Sequence, residues 1–181
     1  LQPAVEIASR RAAAPRWDEL HKRLAKAETP QDRITLLKGL SAFDDPALVE
    51  RALALALADG TKLQDVRYLH GPLLARRTTR ATTVRWTMEH WDELRKKLAG
   101  SLASRLVWIA GAVCEADELD RVSKFVSARA KDLEGAARPF AEALEGAETC
   151  IALRQRGKKE LSAALDKGKR AGRAGQEKGH P

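Results

Sequence analysis

Apolar side chains recur every three to four residues along most of the chain, which is the spacing of one face of an α-helix. Two such patterns follow each other in residues 29–58. Thr29 precedes Pro30 and Asp45 precedes Pro46, so each pattern opens with a residue that can cap a helix and a proline that fits its first turn. This stretch predicts two helices that pair in antiparallel orientation across a short connection.

The same spacing predicts helices along the rest of the chain. They cover residues 4–14, 17–27, 66–77, 81–99, 102–114, 117–130 and 135–156. Gly71-Pro72 predicts a kink or a break in the 66–77 helix, since proline lacks the amide that the helix needs there. The 81–99 helix is expected to be the longest. Apolar residues nearly encircle 102–114, which is typical of a buried helix.

A weak internal repeat indicates how these helices are arranged. Residues 17–25 read WDELHKRLA and residues 91–99 read WDELRKKLA. Repetition of one helical unit is typical of stacked helix pairs, although two segments rich in Ala, Leu and Arg can also match by coincidence. Strand-forming residues are scarce. We therefore expect an all-α fold, an α-solenoid of stacked antiparallel helix pairs of the HEAT or armadillo kind.

The predicted organisation has three parts. Residues 1–16 form an N-terminal helix or the edge of a fragment, residues 17–156 a helical-repeat domain, and residues 157–181 a basic tail rich in Gly, Lys and Arg. The tail beyond Gly168 has nothing to bury, so we expect it to be mobile. Because the sequence does not begin with Met, it is expected to be a fragment or a processed piece.

The net charge of +8 suggests nucleic acid as a partner at first sight. Half of that excess lies in residues 157–181, which hold seven Lys or Arg and three Asp or Glu. The helical part is thus only weakly basic, and nucleic acid is not the expected partner. The apolar runs are too short to cross a bilayer, so a membrane is not expected either.

Two cysteines, Cys114 and Cys150, lie far apart within helical patterns. Their spacing matches neither a disulfide framework nor a metal-binding knuckle, so both are expected to be buried free thiols. Free thiols favour a reducing compartment, and we therefore expect a cytoplasmic location.

Catalytic motifs are absent from the sequence. The histidines are His21, His70, His90 and His180, and no pair forms the His-Glu-x-x-His motif of zinc peptidases. There is no Gly-x-Ser-x-Gly elbow, no phosphate-binding glycine loop and no dinucleotide fingerprint. We therefore predict no catalytic residue, no metal ligand and no cofactor site in this chain.

Isolated glycines and tryptophans fit structural roles. Gly39, Gly71 and Gly111 lie in helical contexts, where close helix packing is their expected role. The four tryptophans are expected to anchor the core or helix interfaces, with base stacking as the alternative. They are Trp17, Trp86, Trp91 and Trp108.

A cluster of arginines follows the 66–77 helix. It comprises Arg76, Arg77, Arg80 and Arg85. One interpretation is a solvated junction between helices. The alternative is a cationic wall that binds a carboxylate or phosphate, because the guanidinium geometry suits both.

Several motifs resemble the C-terminal helical domain of zinc aminopeptidases of the aminopeptidase N, puromycin-sensitive and endoplasmic-reticulum aminopeptidase type. The motifs are Arg33-x-x-Leu36-Leu37-x-Gly39-Leu40, Phe43-x-Asp45-Pro46-x-Leu48-Val49, Leu63-Gln64-Asp65, Trp86-x-Met88-x-His90-Trp91-Asp92-x-Leu94, Cys114 with Leu119-x-x-Val122-x-x-Phe125-Val126, and Arg138 with Ile151-Ala152-Leu153. The resemblance spans residues 17–156, with His90 standing where Asn is usual.

This resemblance implies a non-catalytic domain that caps the active-site cavity of a peptidase and limits the access of peptides. In the family the zinc site lies upstream and carries His-Glu-x-x-His with a more distant Glu, so zinc would belong to the full-length enzyme. The implied partners are the catalytic domain of the same polypeptide and a peptide substrate. The isolated chain would be inactive. Position and chemistry suggest Tyr68, His70, Arg76, Arg77 and Arg80 as substrate contacts.

Two other functions compete with this one. A free-standing helical-repeat protein would bind nucleic acid through Arg76–Arg85, with strong salt dependence. A general scaffold would bind a protein partner instead.

Overall fold

The computed structural model describes residues 14–177, and all regular structure in that range is helical. The α-helices are α1 (Ala14–Leu24), α2 (Pro30–Leu40), α3 (Pro46–Leu57), α4 (Val66–Ala75), α5 (Arg80–Glu89), α6 (Trp91–Leu98), α7 (Ala116–Ala130) and α8 (Ala137–Glu177). Two 3₁₀ segments complete the set: the first is Leu63–Asp65 and the second is Gly100–Ala112. The all-α prediction is confirmed for these residues. The helix predicted over 4–14 lies almost wholly outside them.

The helix starts follow the predicted capping. Thr29 Oγ1 accepts a hydrogen bond from the Asp32 amide at 3.0 Å. Asp45 Oδ1 accepts from the amides of Ala47 and Leu48 at 3.0 and 3.1 Å. These bonds satisfy amides that have no partner inside the helix. Both predicted helices are therefore present, and they begin at Pro30 and Pro46.

The pairing of these two helices was predicted wrongly. α2 packs against α1 and α4, whereas α3 packs against α4 and α5. Leu40 and Phe43, which flank the connection, are both fully buried, so the chain passes through the core between the two helices. α3 is apolar on most sides and needs cover from several directions, which a single neighbour cannot supply.

α1 begins at Ala14, so Pro15 lies in its first turn. Proline is favoured at helix starts because its missing amide has no partner there anyway. Trp17, Leu20 and Leu24 form the buried face of α1, as their spacing predicts.

The sequence predicted a kink or a break at Gly71-Pro72. A break into two helices is not observed. α4 runs continuously from Val66 to Ala75 with Pro72 inside it. Gly71 has no Cβ to collide with the following proline ring, which lets this position stay helical. The helix therefore tolerates proline at the loss of one hydrogen bond to the Tyr68 carbonyl.

The predicted 81–99 helix is two helices that meet at His90. This residue adopts φ −105° and ψ 24°, and its amide donates to the Trp86 carbonyl. The turn allows Trp91, which is 2 % exposed, to pack edge-on against Phe125 at a centroid distance of 5.5 Å. Tertiary packing of the tryptophan, rather than helix propensity, decides this boundary.

The second 3₁₀ segment is the centre of the C-terminal half. The sequence predicted an α-helix there; the observed 3₁₀ segment packs most extensively against α8 and also against α5, α6 and α7. Val107, Ile109 and Ala110 are fully buried. A segment covered from so many sides is shaped by its neighbours more than by its own propensity.

Cys114 and Cys150 form a disulfide with a Cα–Cα distance of 5.4 Å. The prediction of two free thiols is therefore wrong. Residues 36 apart in sequence become neighbours because α8 folds back along the second 3₁₀ segment, which spacing alone does not reveal. The reason for expecting a reducing compartment is removed, and the cytoplasmic location stays an untested prediction.

α8 continues as one helix from Ala137 to Glu177, through most of the segment predicted to be a mobile tail. Its outer part exposes Leu153, Leu161 and Leu165. The predicted limits of the three parts of the chain remain a prediction. No helix within residues 14–177 combines the length and apolar character needed to cross a membrane.

Candidate functional site

An apolar cavity of about 430 Å³ lies between the first 3₁₀ segment, α4, α6 and the second 3₁₀ segment. Six of the thirteen residues that line it are leucines. They are Leu63, Leu74, Leu94, Leu98, Leu102 and Leu106. Leu94 and Leu106 belong to the buried core, so the inner wall is continuous with it.

The mouth of the cavity is lined by two large apolar side chains that remain in contact with solvent. Leu63 is 41 % exposed and Trp108 is 42 % exposed. Trp108 was predicted to be a core or interface anchor like the other tryptophans, and this is wrong. The 3₁₀ segment buries Val107 and Ile109 on either side of it, which turns the indole outward.

His70 lines the cavity, where burial lowers its pKa and two threonines fix its hydrogen bond. Burial lowers the pKa of His70 from 6.5 to about 4. Its Nε2 lies 2.7 Å from Thr87 Oγ1, and that hydroxyl donates to the Thr83 carbonyl at 2.7 Å. Since the hydroxyl has one proton, His70 Nε2 is the donor to it. The imidazole therefore adds no charge to the cavity at neutral pH.

Two arginines supply all the formal charge of the lining, which contains no Asp or Glu. Arg67 is held in place because its guanidinium stacks 4.6 Å from the centre of the Tyr68 ring and donates to the Tyr68 hydroxyl at 2.5 Å. Arg105 is exposed, and among residues 14–177 it has no hydrogen-bond or ion-pair partner. The cavity thus combines an apolar interior with basic groups only.

The predicted substrate contacts do not converge on this cavity. Of the five, only His70 lines it. Tyr68 borders a neighbouring recess of about 330 Å³ near the start of α2, and Arg67 borders both. Their proposed role toward a peptide stays a prediction.

The arginine cluster is largely engaged within the protein. Arg76 donates to the carbonyls of Ser41 and Phe43 at 2.6 and 3.0 Å and pairs with Asp44. Arg80 donates to the carbonyls of Leu74 and Ala75. Ser41, Leu74 and Ala75 lie at the ends of α2 and α4, where carbonyls lack partners in the helix itself.

The two other arginines of the cluster lie on the surface. Arg85 pairs with Glu50 at 2.6 Å and with Glu89 at 3.5 Å, and these carboxylates raise its pKa above the ordinary value. Arg77 is exposed. The cluster therefore holds a helix junction together, which is closer to the first of its two interpretations than to a free cationic wall.

Sequence reasoning did not single out Leu63, Arg67, Thr87, Arg105 or Trp108 as members of one site. One signal was available: Thr79, Thr83 and Thr87 recur every four residues, and all three are buried. A polar stripe on a buried helix face must find partners, and here Thr87 finds His70. The approach of Arg105 and Trp108 to α4 depends on the 3₁₀ geometry and has no signature in the sequence.

Metal-binding groups do not converge in this part of the protein. Between residues 14 and 177, no three His, Cys, Asp or Glu side chains are arranged to hold a metal ion. The described residues thus do not fit a zinc centre.

The model of one protein family, described as the ERAP1-like C-terminal domain, matches residues 2–149. The chain belongs to this family. Membership places it among the C-terminal domains of aminopeptidases of the endoplasmic-reticulum type, in agreement with the resemblance carried by residues 17–156.

Comparison of this ERAP1-like C-terminal domain with proteins of curated function found no match. Its cavity is built from residues inside the region that the family model covers, since Leu63 to Trp108 lie within residues 2–149.

Proposed function

We propose that this ERAP1-like C-terminal domain is the non-catalytic helical domain of a zinc-dependent aminopeptidase, where it caps the active-site cavity and limits the access of peptides. The family match over residues 2–149 carries this proposal. The all-helical architecture of the described residues supports it.

The proposed mode of action is steric. Helix pairs stacked as a solenoid present a concave surface, and such a surface over an active site admits short extended peptides while it excludes folded proteins. Closure also removes bulk water, which strengthens electrostatic interactions around a reacting group. The domain itself breaks no bond in this scheme.

Zinc and its ligands would belong to the catalytic domain of the same polypeptide. The sequence contains no His-Glu-x-x-His motif, and the described residues hold no cluster suited to a metal. When bound in its own domain, zinc would polarise the peptide carbonyl and activate water. Residues of this chain would act on the far part of the peptide, with Tyr68, His70, Arg76, Arg77 and Arg80 as the proposed contacts.

The inactivity of the chain by itself is tested with the purified 181-residue protein and added zinc. We expect no release of an amino acid from unblocked peptides. Release at a rate that scales with protein concentration and disappears with a chelator would place a catalytic centre in this chain and overturn the proposal.

The longer open reading frame provides the second test. We expect a His-Glu-x-x-His helix and a more distant Glu to be encoded upstream of Leu1, in one frame with it. A frame that holds no such motif, together with DNA binding by this chain that weakens steeply with salt, would favour the nucleic-acid alternative.

A further inference from the structure

The cavity lined by Leu63, His70, Arg105 and Trp108 has chemistry that a peptidase lid does not require. Leucines line much of its interior, and burial keeps the His70 imidazole there neutral at neutral pH. Its mouth exposes a tryptophan and a leucine to water. Exposed apolar side chains around a pocket of this size are typical of a site for a small ligand.

The charge of the lining selects the ligand. No carboxylate lines the cavity, so a cationic head group would meet only like charge. Arg67 is stacked on Tyr68 and is already engaged. Arg105 is exposed and, within the described part of the chain, makes no ion pair, so its guanidinium is available to a ligand.

We propose that this cavity binds a small apolar monocarboxylate, with its alkyl chain in the cavity and its carboxylate on the guanidinium of Arg105. A guanidinium donates two parallel hydrogen bonds to the two oxygens of a carboxylate. A carboxylate offers the two oxygens that one guanidinium edge can bind, and Arg105 is the lining arginine whose edge is not taken up by Tyr68, as that of Arg67 is. The head group stays near solvent, so its charge is not buried.

This inference does not depend on the aminopeptidase assignment, because every residue in it belongs to this chain. It is tested on the whole chain with octanoate, octanol, acetate and octyl phosphate as probes. Calorimetry measures affinity, and the Trp108 indole N–H resonance, assigned with Trp108→Phe, reports the position of binding.

We expect octanoate to bind saturably and to shift the Trp108 resonance. Octanol should bind about tenfold more weakly, because a charge-assisted hydrogen bond contributes about that factor. Acetate should not bind, since it has no chain to bury. Octyl phosphate should bind no better than octanoate.

Variants separate the two halves of the site. Arg105→Gln should weaken octanoate binding about tenfold and leave octanol binding unchanged, since only the charged contact is removed. Arg138→Gln is the matched control, because Arg138 lies on the surface of α8 and pairs only with Glu142 within the described structure. It should leave octanoate binding as it is. Trp108→Ala should weaken octanoate and octanol by the same factor.

Three results would overturn the proposal. The first is equal affinity for octanoate and octanol, which would mean that no charge is recognised. The second is an octanoate affinity that Arg105→Gln leaves unchanged while the variant keeps the native melting temperature. The third is tighter binding of octyl phosphate, which would assign the cavity to a different anion.

Discussion

A Cβ atom placed on Gly111 would lie 3.1 Å from the Cα and the carbonyl oxygen of Ala143. The second 3₁₀ segment and α8 therefore touch backbone to backbone at this point, with no room for a side chain. The close-packing role predicted for Gly111 is confirmed. The same role predicted for Gly71 is wrong, since nothing lies within 4 Å of a Cβ built there.

Gly111→Ala is expected to lower the free energy of unfolding by about 1–3 kcal/mol, because the two segments must move apart to admit the methyl group. Urea denaturation measures the effect. Gly146→Ala is the matched control: this glycine is in α8 and a Cβ there meets no atom within 4 Å. It should be neutral or stabilising, by up to about 1 kcal/mol. Equal losses for both variants would show that the contact is not as close as described.

The Cys114–Cys150 disulfide ties the end of the second 3₁₀ segment to α8. Closing a loop of this length stabilises a folded chain by about 4 kcal/mol in the loop-closure account. Reduction, or Cys150→Ser, should lower the free energy of unfolding by about that amount. A reductant should have no effect on the variant. Alkylation of the denatured but unreduced protein checks the bond directly, since two modified cysteines would mean free thiols.

Arg33 and Asp65 form an ion pair at 2.6 Å in which the Asp65 side chain is only 3 % exposed. Arg33→Met should destabilise the protein by about 3 kcal/mol, because a buried carboxylate loses its partner. The second change Asp65→Leu should restore most of that loss. Arg85→Met breaks an exposed pair with Glu50 and should have little effect. If Arg33→Met proved as mild as Arg85→Met, the pair would not be a buried one.

His70 makes stability depend on pH. Its pKa is about 4 in the folded protein and 6.5 when unfolded, so between these values the unfolded chain binds a proton that the folded chain does not. Stability should therefore fall as pH drops from 6.5 toward 4, by up to about 3 kcal/mol, with no contribution from His70 above 6.5.

The native protein and His70→Gln are compared by denaturation at several pH values. The variant should lose the fall in the free energy of unfolding between pH 6.5 and 4 that His70 causes. Its glutamine keeps a side chain that can bond to Thr87. His21→Gln changes an exposed histidine and serves as the control. An NMR titration of His70 with an unshifted midpoint would contradict the prediction.

Local signals predicted the helices well where the cause is local. The caps at Thr29 and Asp45 and the buried stripe of Trp17 and Leu20 are visible in the sequence, because each depends on neighbours within a turn or two. The failures have a common cause. The turn at His90 places Trp91 against Phe125, and that partner is remote in sequence.

The sequence predicted only part of the candidate site, for the same reason. His70 was noticed for its chemistry, but its lowered pKa depends on burial by the fold, and its hydrogen bond depends on Thr87 from another helix. Arg105 and Trp108 became candidates only when the second 3₁₀ segment brought them to α4. No spacing rule predicts such an approach, because it joins elements that are separate in the chain.

The sequence by itself determined that this chain is helical, where most of its helices begin, and which family it resembles. Those properties follow from the periodicity of side chains and from capping bonds between near neighbours. Only the tertiary structure decided which helices pack together, that Cys114 and Cys150 are bonded, and that an apolar cavity opens beside Arg105. These depend on contacts between distant segments, and their geometry is set by how the whole core fills space.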